Sequence, residues 1–244
     1  MLTNRTTYQA TSQMPAAHQN GIIRSFVASH RKYLFFKRGF DIVASFLVLA
    51  LVMSWLTPLI ALLIRLDSRG PVIFKQRRVG QYGNPFVCYK FRTMWINDEA
   101  DVRPAEKNDE RVTRMGRLLR ASNLDELPQF INVLAGQMSL VGPRPHMPAD
   151  CTRFSFIISS YSFRHLVRPG ITGWAQVNGY HGPAMSYETV MLRYYWDAMY
   201  VRKASMWLDV EIIWKTVRLG IAGLFHSLRA LFAARSKNAA PAQS

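Results

Sequence analysis

The longest feature of the hydrophobic pattern is a run from Ile42 to Ile64 that contains no charged residue. As a straight helix this run would cover roughly 35 Å, whereas the hydrocarbon core of a bilayer is about 30 Å thick. The pattern therefore predicts a helix embedded in a membrane.

Basic residues on both sides of this run bear on its topology. Lys37 and Arg38 precede it and Arg65 follows it, and the positive-inside rule places both flanks in the cytoplasm. Thr57 and Pro58 lie within the run, and a proline in a helix interior removes a hydrogen bond and kinks the helix. We expect a re-entrant helix-break-helix whose break lies at Thr57 and Pro58. An ordinary spanning helix is the alternative.

After Gly70 the pattern becomes that of a globular domain. Residues 71–74 and 86–94 are typical of two strands, and the turn residues at 82–85 separate them. Lys90 and Arg92 are two positions apart, so both should point to the same face of the second strand. Such a pair is usually explained by a solvated strand face, and a phosphate clamp is the functional alternative.

Two adjacent carboxylates, Asp125 and Glu126, stand where a helix is expected to begin. Ser122 or Asn123 is a suitable N-cap, and Gly136 is a suitable C-terminal stop. Free backbone N–H groups and the helix dipole would keep both acids ionised there. An ionised carboxylate is an available nucleophile, and its neighbour is a candidate ligand for a divalent cation. The alternative is that both acids only stabilise the helix start.

Prolines on both sides of Arg144 should hold its backbone stiffly. A guanidinium fixed in this way is suited to bidentate phosphate recognition, with a surface arginine in a turn as the alternative. Downstream, the glycine-punctuated segment 168–179 would let backbone approach a ligand closely, with ordinary turns as the alternative. Residues 187–202 and 205–235 are predicted to form two helices. The second mixes tryptophans with basic residues, which suits either a membrane interface or packing on the core.

These patterns predict a mostly α-helical α/β protein in four parts: a flexible tail at 1–30, the re-entrant membrane helix at 31–69, a small cytosolic globular domain at 70–218, and an amphipathic extension with a disordered tail at 219–244. Among its 244 residues, 31 Lys and Arg face 15 Asp and Glu, and 49% are hydrophobic. The charge favours polyanionic partners, and the apolar content favours an anionic membrane surface over nucleic acid. Cys88 and Cys151 show no metal-ligand spacing.

Four motifs occur in order along the chain: 90–94 (KFRTM), 124–129 (LDELPQ), 139–145 (SLVGPRP) and 168–176 (RPGITGWAQ). Together they make residues 37–218 strongly resemble the bacterial sugar transferases, the monotopic phosphoglycosyl transferases. The resemblance implies transfer of a hexose 1-phosphate from a UDP-sugar to undecaprenyl phosphate, with release of UMP. It implies an enzyme of the inner membrane whose catalytic domain faces the cytoplasm.

The resemblance also implies roles for individual residues. Asp125 would be the nucleophile that forms a covalent aspartyl-phosphosugar, Glu126 would hold Mg²⁺, and Arg144 would bind phosphate. Lys90, Arg92 and Gln176 would complete the substrate site, and the motif around Gln176 favours glucose or galactose as the sugar. The family's helix break is a Ser-Pro pair, for which Thr57 and Pro58 stand here. A basic, membrane-tethered binding or scaffold protein without catalysis is the alternative function.

Overall fold

The computed structural model describes residues 25, 26, 28–97, 109–180, 182 and 186–238, with side chains described to residue 223 of the last helix. The described chain is mostly helical and contains two small sheets, as the sequence predicts. The predicted tails and most of the loop after Trp95 lie outside the described residues.

The helices are α1 (Arg31–Val48), α2 (Ser54–Asp67), α3 (Arg114–Ala121), α4 (Gln129–Leu134), α5 (Pro148–Ile157), α6 (Trp174–Val177), α7 (Tyr187–Lys203) and α8 (Met206–Asn238). A π-helical turn at Leu49–Met53 joins α1 to α2, and 3₁₀ turns lie at Gln81–Gly83, Leu124–Glu126 and Tyr161–Leu166. The strands are β1 (Ile73–Val79), β2 (Pro85–Phe91), β3 (Ser139–Val141) and β4 (Gly170–Thr172).

The two sheets hold the loops that bear the candidate site. Strands β1 and β2 form an antiparallel hairpin in which Ile73 is opposite Phe91, and β3 and β4 pair in parallel. Residues from both sheets and from α4, α7 and α8 share one buried apolar cluster, which includes Phe86, Cys88, Val133, Met138, Val141, Tyr200, Val201 and Ile212.

The predicted membrane segment forms one helix of 37 residues, Arg31–Asp67, which is long and apolar enough to cross a membrane by length and composition. Thr57 and Pro58 lie inside α2, so the helix does not break where the sequence predicts. The departure from α geometry is the π-helical turn that ends one residue before Ser54. A proline ring crowds the carbonyl four residues earlier, here that of Ser54, so the irregularity falls in the turn before it.

The amphipathicity of this helix is inverted relative to that of a water-soluble helix. Its buried positions in α1 are the polar residues Lys37, Asp41 and Ser45, which recur every four residues and face the rest of the protein. The outward positions are large and apolar, namely Phe35, Phe36, Val43, Phe46, Leu47, Leu51, Trp55, Leu59, Leu62 and Leu66. An apolar surface of this extent on a single helix is the arrangement expected against lipid.

Both ends of the long helix contact the same globular body. Near the start, the Arg38 guanidinium donates to the carbonyls of Val133 and Leu134 at 2.7 and 2.9 Å. Near the end, Ile64 packs in a buried cluster with Phe91 and Leu119.

A buried polar cluster around Asp209 joins α1 to α8. The carboxylate accepts hydrogen bonds from Lys37 Nζ at 2.7 Å, Tyr33 Oη at 3.0 Å and Tyr200 Oη at 2.7 Å. Opposite this buried face, α8 exposes Trp207, Val210, Trp214, Val217 and Ile221. The structure therefore packs one side of α8 on the core and leaves an apolar stripe on the other side.

The Asp209 cluster generates a stability prediction. We expect Asp209→Ala to reduce the free energy of unfolding by about 3–5 kcal/mol, because the ammonium of Lys37 then stays buried without a counter-charge. Thermal unfolding of the purified protein in nanodiscs would measure this loss. The matched control is Glu211→Gln, which breaks the exposed ion pair with Lys215 and should cost about 0–1 kcal/mol. Equal effects of the two substitutions would contradict the prediction.

Candidate functional site

The acidic pair lies on a single 3₁₀ turn, Leu124–Glu126, and not in the first turn of the α-helix that the sequence predicts. Asn123 opens this turn in the left-handed conformation, with φ 56°, and helix α4 begins only at Gln129. Ser122 donates back to the Leu118 carbonyl, so neither candidate cap forms its expected bond. Gly136 has φ 79° and follows α4, as the prediction of a glycine stop requires.

Glu126 is the centre of a three-residue ion cluster. Its Oε1 accepts hydrogen bonds from Lys90 Nζ and from Arg144 Nη2, both at 2.7 Å, and its Oε2 accepts one from Arg144 Nη1 at 3.2 Å. Burial opposes ionisation of Glu126, but the charges of Arg144 and Lys90 outweigh it and hold its pKa below the ordinary value. Three of the predicted site residues therefore meet in one place.

The backbone around Arg144 is held by two other arginines, the buried Arg164 and the half-buried Arg78. The Arg164 guanidinium donates to the Arg144 carbonyl at 2.6 Å while its Nε donates to Asp197 at 2.9 Å, and Arg78 donates to the Pro145 carbonyl at 3.2 Å. Rigidity at Arg144 was expected from its prolines, and these contacts add a support that the sequence does not reveal.

Asn132 fixes α4, and with it the acidic turn, against strand β2. Its side chain accepts from the backbone N–H of Tyr89 at 3.0 Å and donates to the carbonyl of Val87 at 2.7 Å, as a neighbouring strand would. The residue is fully buried. The register between Lys90 on β2 and Glu126 on the turn therefore depends on one amide in a helix, and the sequence analysis did not identify it.

Asp125 is buried beside this cluster, yet no donor among the described residues hydrogen-bonds to its carboxylate. Burial is the main influence on its pKa, and the charge of Glu126 acts in the same direction. The cations Lys90, Arg120 and Arg144 act in the opposite direction, and the pKa is nonetheless raised to about 6. The two carboxylates therefore differ sharply. Glu126 forms ion pairs with two cations, whereas the oxygens of Asp125 accept no hydrogen bond from the described residues and its raised pKa makes it the more basic of the two.

Arg92 and Gln176 do not join this cluster. The Arg92 guanidinium donates to the carbonyls of Arg69 and Ser68 at the end of α2, at 2.5 and 2.7 Å. Strand β2 ends at Phe91, so the alternation that would align Arg92 with Lys90 stops one residue too early. Gln176 donates to the Ile171 carbonyl, while its buried Oε1 has no hydrogen-bond partner among the residues that the structure describes.

The glycine-punctuated segment serves backbone packing in this structure. A Cβ on Gly173 would lie 2.2 Å from the Gly142 carbonyl oxygen, and one on Gly170 would lie 2.1 Å from the Gly142 nitrogen. The glycines therefore let this segment pack directly on the loop that precedes Arg144.

Three residues that the sequence analysis did not assign to the site also border it. Arg78 and Gln129 line a narrow cleft together with Cys88, Lys90, Arg144 and Pro145. The charge of Arg120, in the last turn of α3, acts on Asp125. The four cations Arg78, Lys90, Arg120 and Arg144 thus surround two carboxylates. This excess of positive charge makes the site a receptor for an anion.

The hydrogen bonds that Glu126 already accepts show whether its carboxylate could also hold a divalent cation. Its Oε1 is shared by two cations, but Oε2 accepts a single hydrogen bond and retains a lone pair. Mg²⁺ is commonly held by one or two carboxylates together with substrate phosphates. A cation that arrives with a phosphorylated ligand is therefore compatible with Glu126. The described residues contain no group of three or more His, Cys, Asp or Glu side chains that could hold a metal without such a ligand.

Comparisons with known proteins agree with the chemistry of this site. Residues 32–223 match the family model described as bacterial sugar transferase. The chain is 48% identical over 186 residues to the UDP-glucose:undecaprenyl-phosphate glucose-1-phosphate transferase of Escherichia coli (strain K12), a match that covers 75% of this chain and 40% of the relative. It is 45% identical over 192 residues to the UDP-N-acetylgalactosamine-undecaprenyl-phosphate N-acetylgalactosaminephosphotransferase of Aeromonas hydrophila, covering 78% and 45%.

A third relative differs in length. The UDP-glucose:undecaprenyl-phosphate glucose-1-phosphate transferase of Caulobacter vibrioides is 46% identical over 182 residues, which cover 74% of this chain and 68% of the relative. The chain thus spans less than half the length of the Escherichia coli and Aeromonas relatives.

The raised pKa of Asp125 predicts a gain in stability when its charge is removed. Because the folded-state pKa lies above that of the unfolded chain, ionisation of Asp125 destabilises the fold above pH 6, and this penalty is absent below about pH 4. We therefore expect Asp125→Asn to stabilise the protein by about 3 kcal/mol at pH 8, and by about half as much at pH 5. Thermal unfolding at the two pH values measures the difference, and a loss of stability at pH 8 would contradict it.

Proposed function

Because the chain belongs to the bacterial sugar transferase family, we propose that it is a phosphoglycosyl transferase that moves a hexose 1-phosphate from a UDP-sugar to undecaprenyl phosphate. The observation that supports this most directly is the pairing of unlike carboxylates. Asp125 is a basic carboxylate to which no donor of the described residues hydrogen-bonds, and it lies beside Glu126, which two cations hold ionised. A nucleophile next to a cationic anion receptor is what phosphoryl transfer requires.

The proposed reaction has two displacements at one phosphorus. A carboxylate oxygen of Asp125 attacks the phosphorus that bears the sugar, the bond to the bridging oxygen breaks, and UMP leaves with that electron pair. A phosphate oxygen of undecaprenyl phosphate then attacks the same phosphorus, and the bond to Asp125 breaks. The products are undecaprenyl-diphosphate-sugar and the free carboxylate, so atoms and charge balance without water.

The cations of the site have separate tasks in this proposal. Lys90 and Arg144 would bind diphosphate oxygens, sharing their charge between the ligand and Glu126. Mg²⁺, held through the free lone pair of Glu126 Oε2, would neutralise charge on the diphosphate. Arg92 keeps its contacts with the end of α2, so we leave it out of the phosphate site. For the sugar, the relatives' names favour glucose, with galactose and N-acetylgalactosamine as the next donors to test.

We also propose that the long helix is re-entrant, with the site on the cytoplasmic face of the inner membrane. Arg38 and Ile64 contact the same small globular body although they are 26 positions apart in the sequence. A bilayer between the two ends would force that body onto both sides of the membrane. The exposed stripe of α8 would lie in the same interface, where its tryptophans match the headgroup level.

The activity is tested by UMP release. We expect UMP from UDP-glucose only with Mg²⁺, and a radiolabelled sugar phosphate that stays on the protein when undecaprenyl phosphate is withheld. Asp125→Asn should abolish both signals, because an amide is not a nucleophile here. Glu188→Gln, at an exposed position of α7, is the matched control and should retain both. If the unaltered protein binds membranes but releases no UMP from any UDP-sugar, the binding or scaffold alternative holds.

The topology is tested by cysteine accessibility in intact inner-membrane vesicles of known orientation. The native Cys88 and Cys151 are buried, so an introduced thiol dominates labelling. We expect Lys32→Cys and Arg69→Cys, both exposed, to react with an impermeant maleimide from the cytoplasmic side only. Trp55→Cys, exposed near the middle of the helix, should react from neither side. Labelling of the first two positions from opposite sides would show a spanning helix.

A further inference from the structure

We propose that a cavity at the end of α2 binds the headgroup of an anionic phospholipid of the surrounding membrane. The volume of this α2 cavity is about 540 Å³, within the roughly 300–1,000 Å³ that is usual for ligand sites. Its lining consists of Arg65, Leu66, Asp67, Ser68, Arg69, Trp95 and Ile96. No residue that the proposed reaction uses is among these, so the cavity is a second site.

Two arginines give the α2 cavity a positive charge. Arg65 and Arg69 are exposed, and within the described part of the chain neither guanidinium donates a hydrogen bond or forms an ion pair. The carboxylate of the lining, Asp67, accepts at 2.9 Å from the Met115 N–H in the first turn of α3, where the helix dipole offsets its charge. The charge that remains favours an anionic ligand.

The other part of the wall is apolar. Leu66, Trp95 and Ile96 are all exposed, and Leu66 continues the outward apolar face of the long helix. The backbone of Trp95 is fixed, because its N–H donates to the Arg111 carbonyl at 2.9 Å. Tryptophan is enriched at the headgroup level of bilayers. Guanidinium groups beside such a wall suit a ligand that has both a phosphate and hydrocarbon chains.

The position of the α2 cavity favours a phospholipid over the acceptor of the proposed reaction, although both carry a phosphate. The outward apolar face of α2 ends at Leu66, so in the proposed topology the cavity opens at the level of the phospholipid headgroups. The acceptor phosphate must instead reach Asp125, and neither Asp125 nor Glu126 lines the cavity.

The backbone behind the α2 cavity joins α2 to two elements of the candidate active site. Arg92 donates to the Ser68 and Arg69 carbonyls at 2.7 and 2.5 Å, and it follows the strand that carries Lys90. Asp67 holds the start of α3, which leads into the acidic turn. A headgroup bound in the cavity would therefore steady both elements. We expect it to raise the rate of UMP release, and this part of the inference rests on the proposed function.

Lipid retention by the full chain, measured by native mass spectrometry from detergent, tests the binding. We expect the unaltered protein to retain phosphatidylglycerol in preference to phosphatidylcholine. Arg65→Gln combined with Arg69→Gln should weaken this retention by about 25-fold, since each arginine near an anionic lipid contributes about fivefold. The charge-matched control combines Arg31→Gln with Lys32→Gln, both exposed at the start of the long helix, and should retain phosphatidylglycerol as the unaltered protein does.

The effect on the reaction is tested in phosphatidylcholine nanodiscs that contain an increasing share of phosphatidylglycerol and a fixed amount of undecaprenyl phosphate. UMP release by the unaltered protein and by the Arg31 and Lys32 control should rise with phosphatidylglycerol until it saturates. The rate of the Arg65 and Arg69 double variant should not respond. Its KM for undecaprenyl phosphate should equal that of the unaltered protein, because the acceptor binds elsewhere.

Equal retention of the two phospholipids by the unaltered protein, or an equal loss of retention in both double variants, would overturn the proposal. Displacement of phosphatidylglycerol by undecaprenyl phosphate, with a raised KM for it in the Arg65 and Arg69 variant, would show that the cavity binds the acceptor instead. If that variant does not fold, Trp95→Ala takes its place, and unchanged retention would again count against the proposal. Absence of UMP release from the unaltered protein would refute the proposed function but leave the retention result standing, so the two failures are distinguishable.

Discussion

The structure of the site depends on one shared anion, the Glu126 carboxylate, which neutralises Lys90 and Arg144 at the same time. Without it, two cations from different parts of the chain would repel each other in a partly buried place. With it, β2, the acidic turn and the Arg144 loop have a common meeting point. Within the described part of the chain, the same arrangement leaves Asp125 without an ion pair, because Lys90 and Arg144 are both paired with Glu126. A basic carboxylate within a cationic receptor is thus a direct result of how Glu126 is used.

The long helix also places its charged residues where they find partners. Its polar residues face inward, where Lys37 meets Asp209 and the N–H of Leu140 meets Asp41 Oδ1, and its large apolar residues face outward. Water would penalise that outer face, and lipid would penalise Lys37 and Asp41 if they were turned outward. In the topology proposed above, both faces are satisfied when the helix lies between a lipid layer and the globular body. Because Arg38 binds the end of α4, that placement would also set the depth of the acidic turn.

Sequence reasoning reached the parts of this site that are encoded locally. Proline-framed Arg144, the acidic pair and Lys90 on a strand could be selected from their neighbours, and the structure brings them together. The contacts of Arg92 could not be predicted, because its guanidinium binds carbonyls at the end of α2, 23 positions earlier in the sequence. Asn132 and Arg120 were missed for a related reason. Each resembles an ordinary helix residue until the strand that it contacts is known.

The position of the irregularity in the long helix could also not be predicted from the sequence. The sequence predicts a break at Thr57 and Pro58, but α2 continues through both residues, and the departure from α geometry is the π-helical turn at Leu49–Met53. An insertion of this kind rotates the residues on either side relative to each other, so the buried face of α1 need not continue in register into α2. The inward residues do change at this point, from Lys37, Asp41 and Ser45 to Met53, Ile60 and Ile64. The first half of the helix is thereby bound through polar contacts and the second through apolar packing on α3, so the acidic turn between α3 and α4 is held from both halves.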